Sequence, residues 1–290
     1  VIAYRSLIDT PIEHIHKAFL LGFSDYFVPM QVSLDDFKTM HAIRGVDYSL
    51  SIGAFDGDDL VGFTTNGIGI WRGLPTAYDA ATAVAQKYRG RGISREMFRV
   101  MEQTLVAEGY RRYLLEVITT NAPAIALYER LGFKTMRTLS CLRVSSEALL
   151  THARDAFDVR EAPVSEWQTL RSALESDSSR SFLPAWQNSW DAVQRYPDKF
   201  RVIAVRDDHQ LLGYGVFSFG KGSIHQVWVA PRHRRRGVGR AILRRIAEAA
   251  APTPTLVWAN VDASSTETMA FLATFGFEEF VAQYEMEREL

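Results

Sequence analysis

Val84-Ala85-Gln86-Lys87-Tyr88-Arg89-Gly90-Arg91-Gly92-Ile93-Ser94 is the stretch on which the reading of this chain turns. Before it, Tyr78 to Val84 is an apolar run that predicts a buried strand. After it, Arg95 to Glu108 carries Met97, Phe98, Met101 and Leu105 at helical spacing. The turn between them is glycine-spaced and arginine-rich, which suits an anionic ligand. Glycine admits a close backbone approach, several N–H groups converge, and a helix N-terminus adds partial positive charge. Arg89 and Arg91 are placed to add charge-assisted bonds. The stretch lacks the Gly-Lys-Ser/Thr ending of a Walker loop. It also lacks the three glycines and distal acid of a dinucleotide fingerprint.

Working outward, 290 residues allow one large domain or two small ones. A composition that is 47% hydrophobic and 23% charged is that of an ordinary globular protein. A net charge of -1 argues against bulk attraction to nucleic acid or an anionic membrane. No apolar run reaches the roughly 18 residues of a membrane span, and no signal peptide is read at the start. Because the chain opens on Val1, the natural N-terminus is expected to lie upstream. Cys141 is the one cysteine, so no intrachain disulfide forms and a reducing, cytoplasmic setting is expected. Its apolar neighbours Leu139 and Leu142 predict a packed core thiol. Scattered histidines give no metal-ligand spacing, so no metal is expected.

In chain order, Ile2 to Ser6 reads as a strand and Pro11 to Phe23 as a helix. Ser33 to Arg44 reads as a second helix, capped by Ser33. Leu50 to Phe55 and Leu60 to Ile68 form a hairpin, and Gly69 to Pro75 is expected to be a loop. After the decisive stretch and its helix come a buried strand from Arg112 to Thr119, a short helix ending at Gly132-Phe133, and a closing strand from Thr135 to Val144. The pattern then restarts. A hairpin (Phe200 to Phe219), a strand (Ile224 to Val229), and the loop Pro231-Arg232-His233-Arg234-Arg235-Arg236-Gly237-Val238-Gly239 follow. Next come a helix, a strand, a short helix and Gly276-Phe277. Taken alone, the basic run from Arg232 to Arg245 also fits a nucleic-acid patch. Its interruption by Gly237, Val238, Gly239, Ala241, Ile242 and Leu243 instead fits a helix start packed on a sheet.

Arg89-x-x-Gly92-x-Ser94 and Arg234-x-x-Gly237-x-Gly239 resemble the acyl-CoA loop of the GCN5-related N-acetyltransferase (GNAT) superfamily, Arg/Gln-x-x-Gly-x-Gly/Ala. Ser94 departs from the last position but is small. Leu114-Leu115-Glu116-Val117 followed by Asn121-x-x-Ala124-x-x-x-Tyr128-x-x-x-Gly132-Phe133 resembles the second signature of that family. It is especially similar to the bacterial ribosomal-protein N-terminal acetyltransferases. The resemblance implies an α/β fold with two tandem acyl-CoA N-acyltransferase domains, each a twisted mixed sheet flanked by helices. The expected boundaries are 1–144 and 157–290, with a helical or irregular linker at 145–156.

For the first half the resemblance implies acetyl transfer from acetyl-CoA to a primary amine by direct attack. Glu116 would take the amine proton through water, and Tyr128 would protonate the departing thiolate. Coenzyme A would be held by Ala83, Val84, Ala85, Arg89, Gly90, Arg91, Gly92, Ile93, Ser94, Asn121 and Ala124. Independently, Glu116 interrupts an apolar strand, and a buried carboxylate is costly unless paired or useful. It also reads as a strand-end Glu bonded to a neighbour, and Tyr128 as a core aromatic. The aromatic run around Phe27, with Trp71, suits either an acceptor wall or an interface between halves. Asp79 opens the central strand and either receives a cationic amine or simply starts the strand. The acceptor is a small-molecule amine or a peptide or protein amine; neither nucleic acid nor membrane is expected as a partner.

In the second half, counting back from Gly276-Phe277 puts Leu272 at the place of Tyr128 and Asn260 at that of Glu116. Neither handles a proton. This half is therefore expected to be degenerate, with a possible second CoA site at Val227, Val229, Arg234, Arg235, Arg236, Gly237, Val238 and Gly239. His225 and Asp262 are candidate substitutes. In mycothiol synthase, a tandem member of the family, the second half is the active one. Two alternatives thus stay open: a catalytic C-terminal half, and a non-catalytic acyl-CoA-binding module.

Overall fold

The computed structural model describes residues 1–25, 30–151, 157–208, 210–218 and 222–290. The chain forms two compact units. One comprises Val1–Met136 with Glu285–Leu290, and the other Arg137–Tyr284.

The first unit begins with β1 (Ile2–Ser6), α1 (Ile12–Gly22) and α2 (Leu34–Arg44). Ser33 caps α2 by accepting from the Asp36 N–H at 3.1 Å, as its sequence position predicts. Three antiparallel strands follow: β2 (Val46–Asp56), β3 (Asp59–Trp71) and β4 (Leu74–Val84). The expected loop over Gly69 to Pro75 is strand instead. Arg72 and Gly73 take φ of 48° and 79° and close a two-residue hairpin, which lets both strands run on to Trp71 and Leu74. Then come α3 (Ile93–Ala107), β5 (Arg112–Ile118) and α4 (Ala122–Arg130). Apolar side chains of α1 and α2, including Ile15, Phe19 and Phe37, cover one face of the sheet with Phe55 and Phe63. Phe98 of α3 packs on Tyr113 of β5, and Tyr128 and Phe133 gather round it to seal the other face.

The fold feature that makes a site is the parting of β4 and β5. They pair in parallel only where Thr76–Tyr78 meets Arg112–Leu114. Beyond Tyr78 the β5-facing edge of β4 has no ladder partner in β5. A β-bulge lies at the same point: Asn66 opposes Asp79 and Thr65 opposes Ala81, which leaves Ala80 as the extra residue. Arg44 of α2 donates to the carbonyl of Ala80 at 2.7 Å.

The second unit repeats the plan. It contains β6 (Lys134–Ser145, from Arg137 onward), α5 (Ser146–Thr151), β7 (Asp158–Glu161), α6 (Trp167–Ser176) and α7 (Trp190–Arg195). These are followed by β8 (Phe200–Asp207), β9 (Gln210–Ser218), β10 (Ser223–Val229), α8 (Val238–Ala249), β11 (Thr255–Asp262), α9 (Thr266–Ala273) and the first part of β12 (Glu278–Glu289). Here β10 pairs with β11 only at Ser223 and Ile224, and the register shift that follows puts His225 in the bulge. Cys141 is a buried thiol that donates to Asn260 Oδ1 at 3.4 Å, the packed core role its neighbours predict.

The compact units divide the chain within β6 and within β12. β6 bonds to β11 from Leu139 to Ser145, so the first unit ends before residue 144. The front of the expected linker is α5, which packs on α8 and takes a bond from Arg244 to the Leu150 carbonyl; residues 152–156 lie outside the described ones. The C-terminal residues return to the first unit. Leu290 N–H donates to Arg111 O at 3.1 Å, Glu287 pairs with Arg112 at 3.4 Å, and Glu285 pairs with Arg72 at 3.4 Å. Arg288 donates to Leu131 O at 2.7 Å and pairs with Glu102.

Candidate active site

The turn from Arg89 to Gly92 is an open cradle. Gly90 and Gly92 take φ of 75° and 78°, and a Cβ on either would meet nothing within 4 Å. No side chain caps α3, whose first helical bond runs from Glu96 N–H to Gly92 O at 3.1 Å. The amides of Ile93, Ser94 and Arg95 are thus left without helical acceptors. Arg91 is exposed, with its guanidinium 5.2 Å from the Tyr88 ring centroid. Space, donors and charge fit a pyrophosphate.

Arg89 has a different place from the expected one. Its Nη atoms both donate to Asp25 at 2.7 Å, Nη2 also to Gly22 O at 2.9 Å, and Nε to Val84 O at 3.0 Å. The Arg89 guanidinium holds the Asp25 carboxyl below its ordinary range. The side chain braces the loop against the end of α1. Arg234 does the same in the second unit, donating to Asp177 at 2.7 Å, Ser179 O at 3.0 Å and Val229 O at 3.2 Å. Beside the first brace, α1 lies so close to β4 that a Cβ on Gly22 would stand 2.5 Å from Ala83 Cβ. Gly22→Ala therefore forces helix and strand apart. It is expected to cost about 1–3 kcal/mol, measurable as a lower urea midpoint at unchanged slope.

Tyr128 and Glu116 stand at the parting of the strands, on opposite faces. Tyr128 packs edge-on to Phe98 and Phe133, with centroids at 5.9 and 5.7 Å, on the α3–α4 face. Tyr113 points to that same face, so Glu116, three residues along β5, points to the other. There the Tyr78 hydroxyl donates to Glu116 Oε2 at 3.0 Å. Burial, followed by the charge of Glu116, pushes the Tyr78 hydroxyl well above its ordinary range.

Asp79 is buried on the Tyr128 side. Its carboxylate accepts from Thr82 Oγ1, 2.9 Å from each oxygen, and from the Tyr128 hydroxyl. The bulge at Ala80 is what turns Asp79 and Thr82 to one face. Burial raises the Asp79 carboxyl to about 7, against the opposing pull of Thr82, Arg44 and Tyr128. These bonds engage Asp79 within the protein. Trp71 is a buried strand residue. Phe27 lies outside the described residues. Asn121 Oδ1 accepts from the Ala124 N–H at 3.3 Å as the cap of α4.

Sequence patterns missed Asp25, Arg44 and Thr82 as site-building residues, and offered Tyr78 only as part of an apolar acceptor wall or an interface. The only available signal was the Tyr-Asp-x-x-Thr spacing on the strand ahead of the loop.

The second unit contains a cavity of about 810 Å³, lined by Val227, Val229, Arg235, Gly237, Gly239 and Phe271 among others. A Cβ on Gly239 would lie 2.8 Å from the Phe271 ring, so any side chain there would have to displace that ring. Ala241, Ile242 and Leu243 are buried, which makes the basic run a helix start on a sheet. The proton-handling groups differ from those of the first unit. Leu272 is core, and Asn260 is buried and bonded to Cys141. Both nitrogens of His225 are engaged, Nε2 with Ser218 at 2.6 Å and Nδ1 with Asn188 at 2.8 Å, and burial pushes it down to about 4. Asp262 pairs with Arg137 at 3.3 Å and accepts from Ser264 N–H at 3.0 Å. Among the described residues no cluster suits a metal ion, and no helix is long and apolar enough to cross a membrane.

The model of the acetyltransferase (GNAT) family matches residues 15–133 and again 166–277. The chain belongs to that family. It resembles a tandem GNAT protein from the clavulanic acid biosynthesis pathway, with a TM-score of 0.73 and 15% identity, covering 100% of this chain and 98% of the other. A GCN5-related N-acetyltransferase from Sphaerobacter thermophilus gives a TM-score of 0.70 at 13% identity over 99% and 95% of the two chains. These likenesses show the fold. Curated relatives include mycothiol acetyltransferases from Geodermatophilus obscurus, 39% identical over 92 residues, and Clavibacter sepedonicus, 39% over 70 residues. The matches take in 31% and 24% of this chain and 29% and 23% of those relatives, so this chain spans less than a third of their length. GNAT domains match in both units, and the tandem order read from the repeated loops is that of the GNAT fold.

Proposed function

We propose that the first unit transfers an acetyl group from acetyl-CoA to a primary amine by direct attack. The observation that carries this reading is the pair Glu116 and Tyr128, set on opposite faces where β4 and β5 part. An amine arriving on the α1–α2 face meets a carboxylate held by Tyr78. A thioester arriving on the α3–α4 face meets a phenol. The cradle of Gly90, Gly92 and the α3 N-terminus takes the phosphates, with Arg91 beside it, and the open edge of β4 through Ala83, Val84 and Ala85 takes the pantetheine amides. Acetyl-CoA supplies the activated acetyl group. Glu116 accepts the amine proton through water, and Tyr128 gives its proton to the thiol leaving group. The acceptor is a small-molecule amine or a peptide or protein N-terminus.

Tyr128→Phe and Glu116→Gln are each expected to lower kcat by about 10²-fold while acetyl-CoA binding is kept. Full activity in both would remove the reading. The cavity of about 810 Å³ favours a second reading for the other unit, that it holds an acyl-CoA without turnover. His225, bonded on both nitrogens, and the core residue Leu272 argue against catalysis there.

A further inference from the structure

The buried carboxyl of Asp79 is not used by the mechanism above. It is turned by a β-bulge onto the same face as Tyr128, and its oxygens are bonded to Tyr128 and Thr82. The groups facing it come from every element around it. Tyr128 from α4, Tyr113 from β5 and Thr82 from β4 itself share its face, and Arg44 from α2 and Tyr78, on the Glu116 side, lie within reach of its charge. Behind Thr82, Thr64 lies 2.8 Å away, and Tyr113 donates to Asn66 at 2.6 Å. The charge of Arg44 reaches Asp79, while its guanidinium donates to the Ala80 carbonyl at 2.7 Å. Asp79 is therefore surrounded chiefly by hydroxyls, an arrangement that holds a proton as readily as it releases one.

We propose that Asp79 is a positioning residue acting through Tyr128: its carboxyl returns a proton to the Tyr128 oxygen as the phenol gives up its own. This rests on the reading of Tyr128 as the acid. In the step, the amine nitrogen bonds to the carbonyl carbon, and the carbon–sulfur pair leaves on sulfur. Sulfur takes the Tyr128 proton, and Tyr128 oxygen takes that of Asp79. The amine proton goes to Glu116 through water and on to solvent. Asp79 then regains one proton from solvent, so the count closes. Ionised before turnover, Asp79 accepts from Tyr128 and holds back its proton; protonated, it supports release.

The sign of the pH effect follows. The carboxyl rises from an ordinary 3.8 to about 7 in the folded unit. Between those values the folded chain holds a proton that the unfolded chain has lost. Stability therefore falls as pH rises through this window, and catalysis falls above it.

The test combines carbon-13 carboxyl NMR of the ligand-free full chain with pH–rate profiles. In wild type one carboxyl is expected to titrate near 7. In Tyr128→Phe its midpoint is expected to move up, because a donor to the carboxylate is gone. An unmoved midpoint, or no carboxyl titrating in that range, would overturn the proposal without using any variant at position 79. For wild type, kcat/KM is expected to fall about tenfold per pH unit above 7, and for Asp79→Asn to be flat there. An Asp79→Asn profile with the wild-type fall would also overturn it. Full kcat in Tyr128→Phe would instead remove the acid reading on which the proposal stands.

Discussion

A chain that ends at Tyr284 loses acetyl transfer, and its first unit comes apart while the second stays folded. The six missing residues supply Met286 and Glu285, both 0% exposed, and Glu287, which pairs with Arg112 at a site where the two side chains are 16% and 13% exposed. Losing a buried Met side chain costs about 2–5 kcal/mol. Leaving a buried charge without its partner costs about 3–5 kcal/mol. A domain holds only about 5–15 kcal/mol in all, so these losses reach the scale of the whole. Hydrogen exchange checks the outcome. Amides of β2–β5 should lose protection, and those of β8–β11 should keep it. Protection retained in both sets would show that the C-terminal return is decoration.

Gly92→Glu is expected to abolish acetyl transfer, by more than about 100-fold, whereas Gly237→Glu leaves it intact. Each change puts a carboxylate at a helix N-terminus where a pyrophosphate would accept backbone N–H bonds. Both positions have left-handed φ, 78° and 92°, so the backbone itself objects to any side chain. Gly92→Ala and Gly237→Ala separate that strain from the charge. Calorimetry with acetyl-CoA reads both units at once. If Gly237→Glu alone removes binding and turnover, catalysis belongs to the second unit and the assignment to Glu116 and Tyr128 falls.

The strand–loop–helix cores were legible because their signals are local. Glycines at fixed spacing, a helical apolar period and a closing Gly-Phe all lie within a few turns of one another. The braces were not, because Arg89 and Asp25 stand 64 residues apart and no pattern links them. The bulges at Ala80 and His225 were hidden for a related reason. A register shift is a property of two paired strands, and each strand alone reads as continuous. Asp79 shows the cost. By simple alternation Asp79 and Thr82 belong on opposite faces, and only the bulge brings both toward Tyr128. The expected loop at Gly69 to Pro75 failed because glycines and a proline outweighed Ile70 and Trp71, which the Arg72-Gly73 hairpin keeps in the ladder. That residues 285–290 belong with the first unit was not legible, because Glu285 to Glu289 reads as an ordinary charged last strand of its own half.

The return of the C-terminus also sets a schedule. Domains are normally folded in the order in which they leave the ribosome, and here the first unit synthesised is the last to be finished. Its sheet lacks residues 285–290 until the second unit has been made. A message stopped before residue 285 thus yields an unfinished first unit, and protease resistance of residues 1–136 should appear only after residue 290 emerges rather than when residue 136 does. Synthesis of the second unit thus precedes the proposed chemistry of the first.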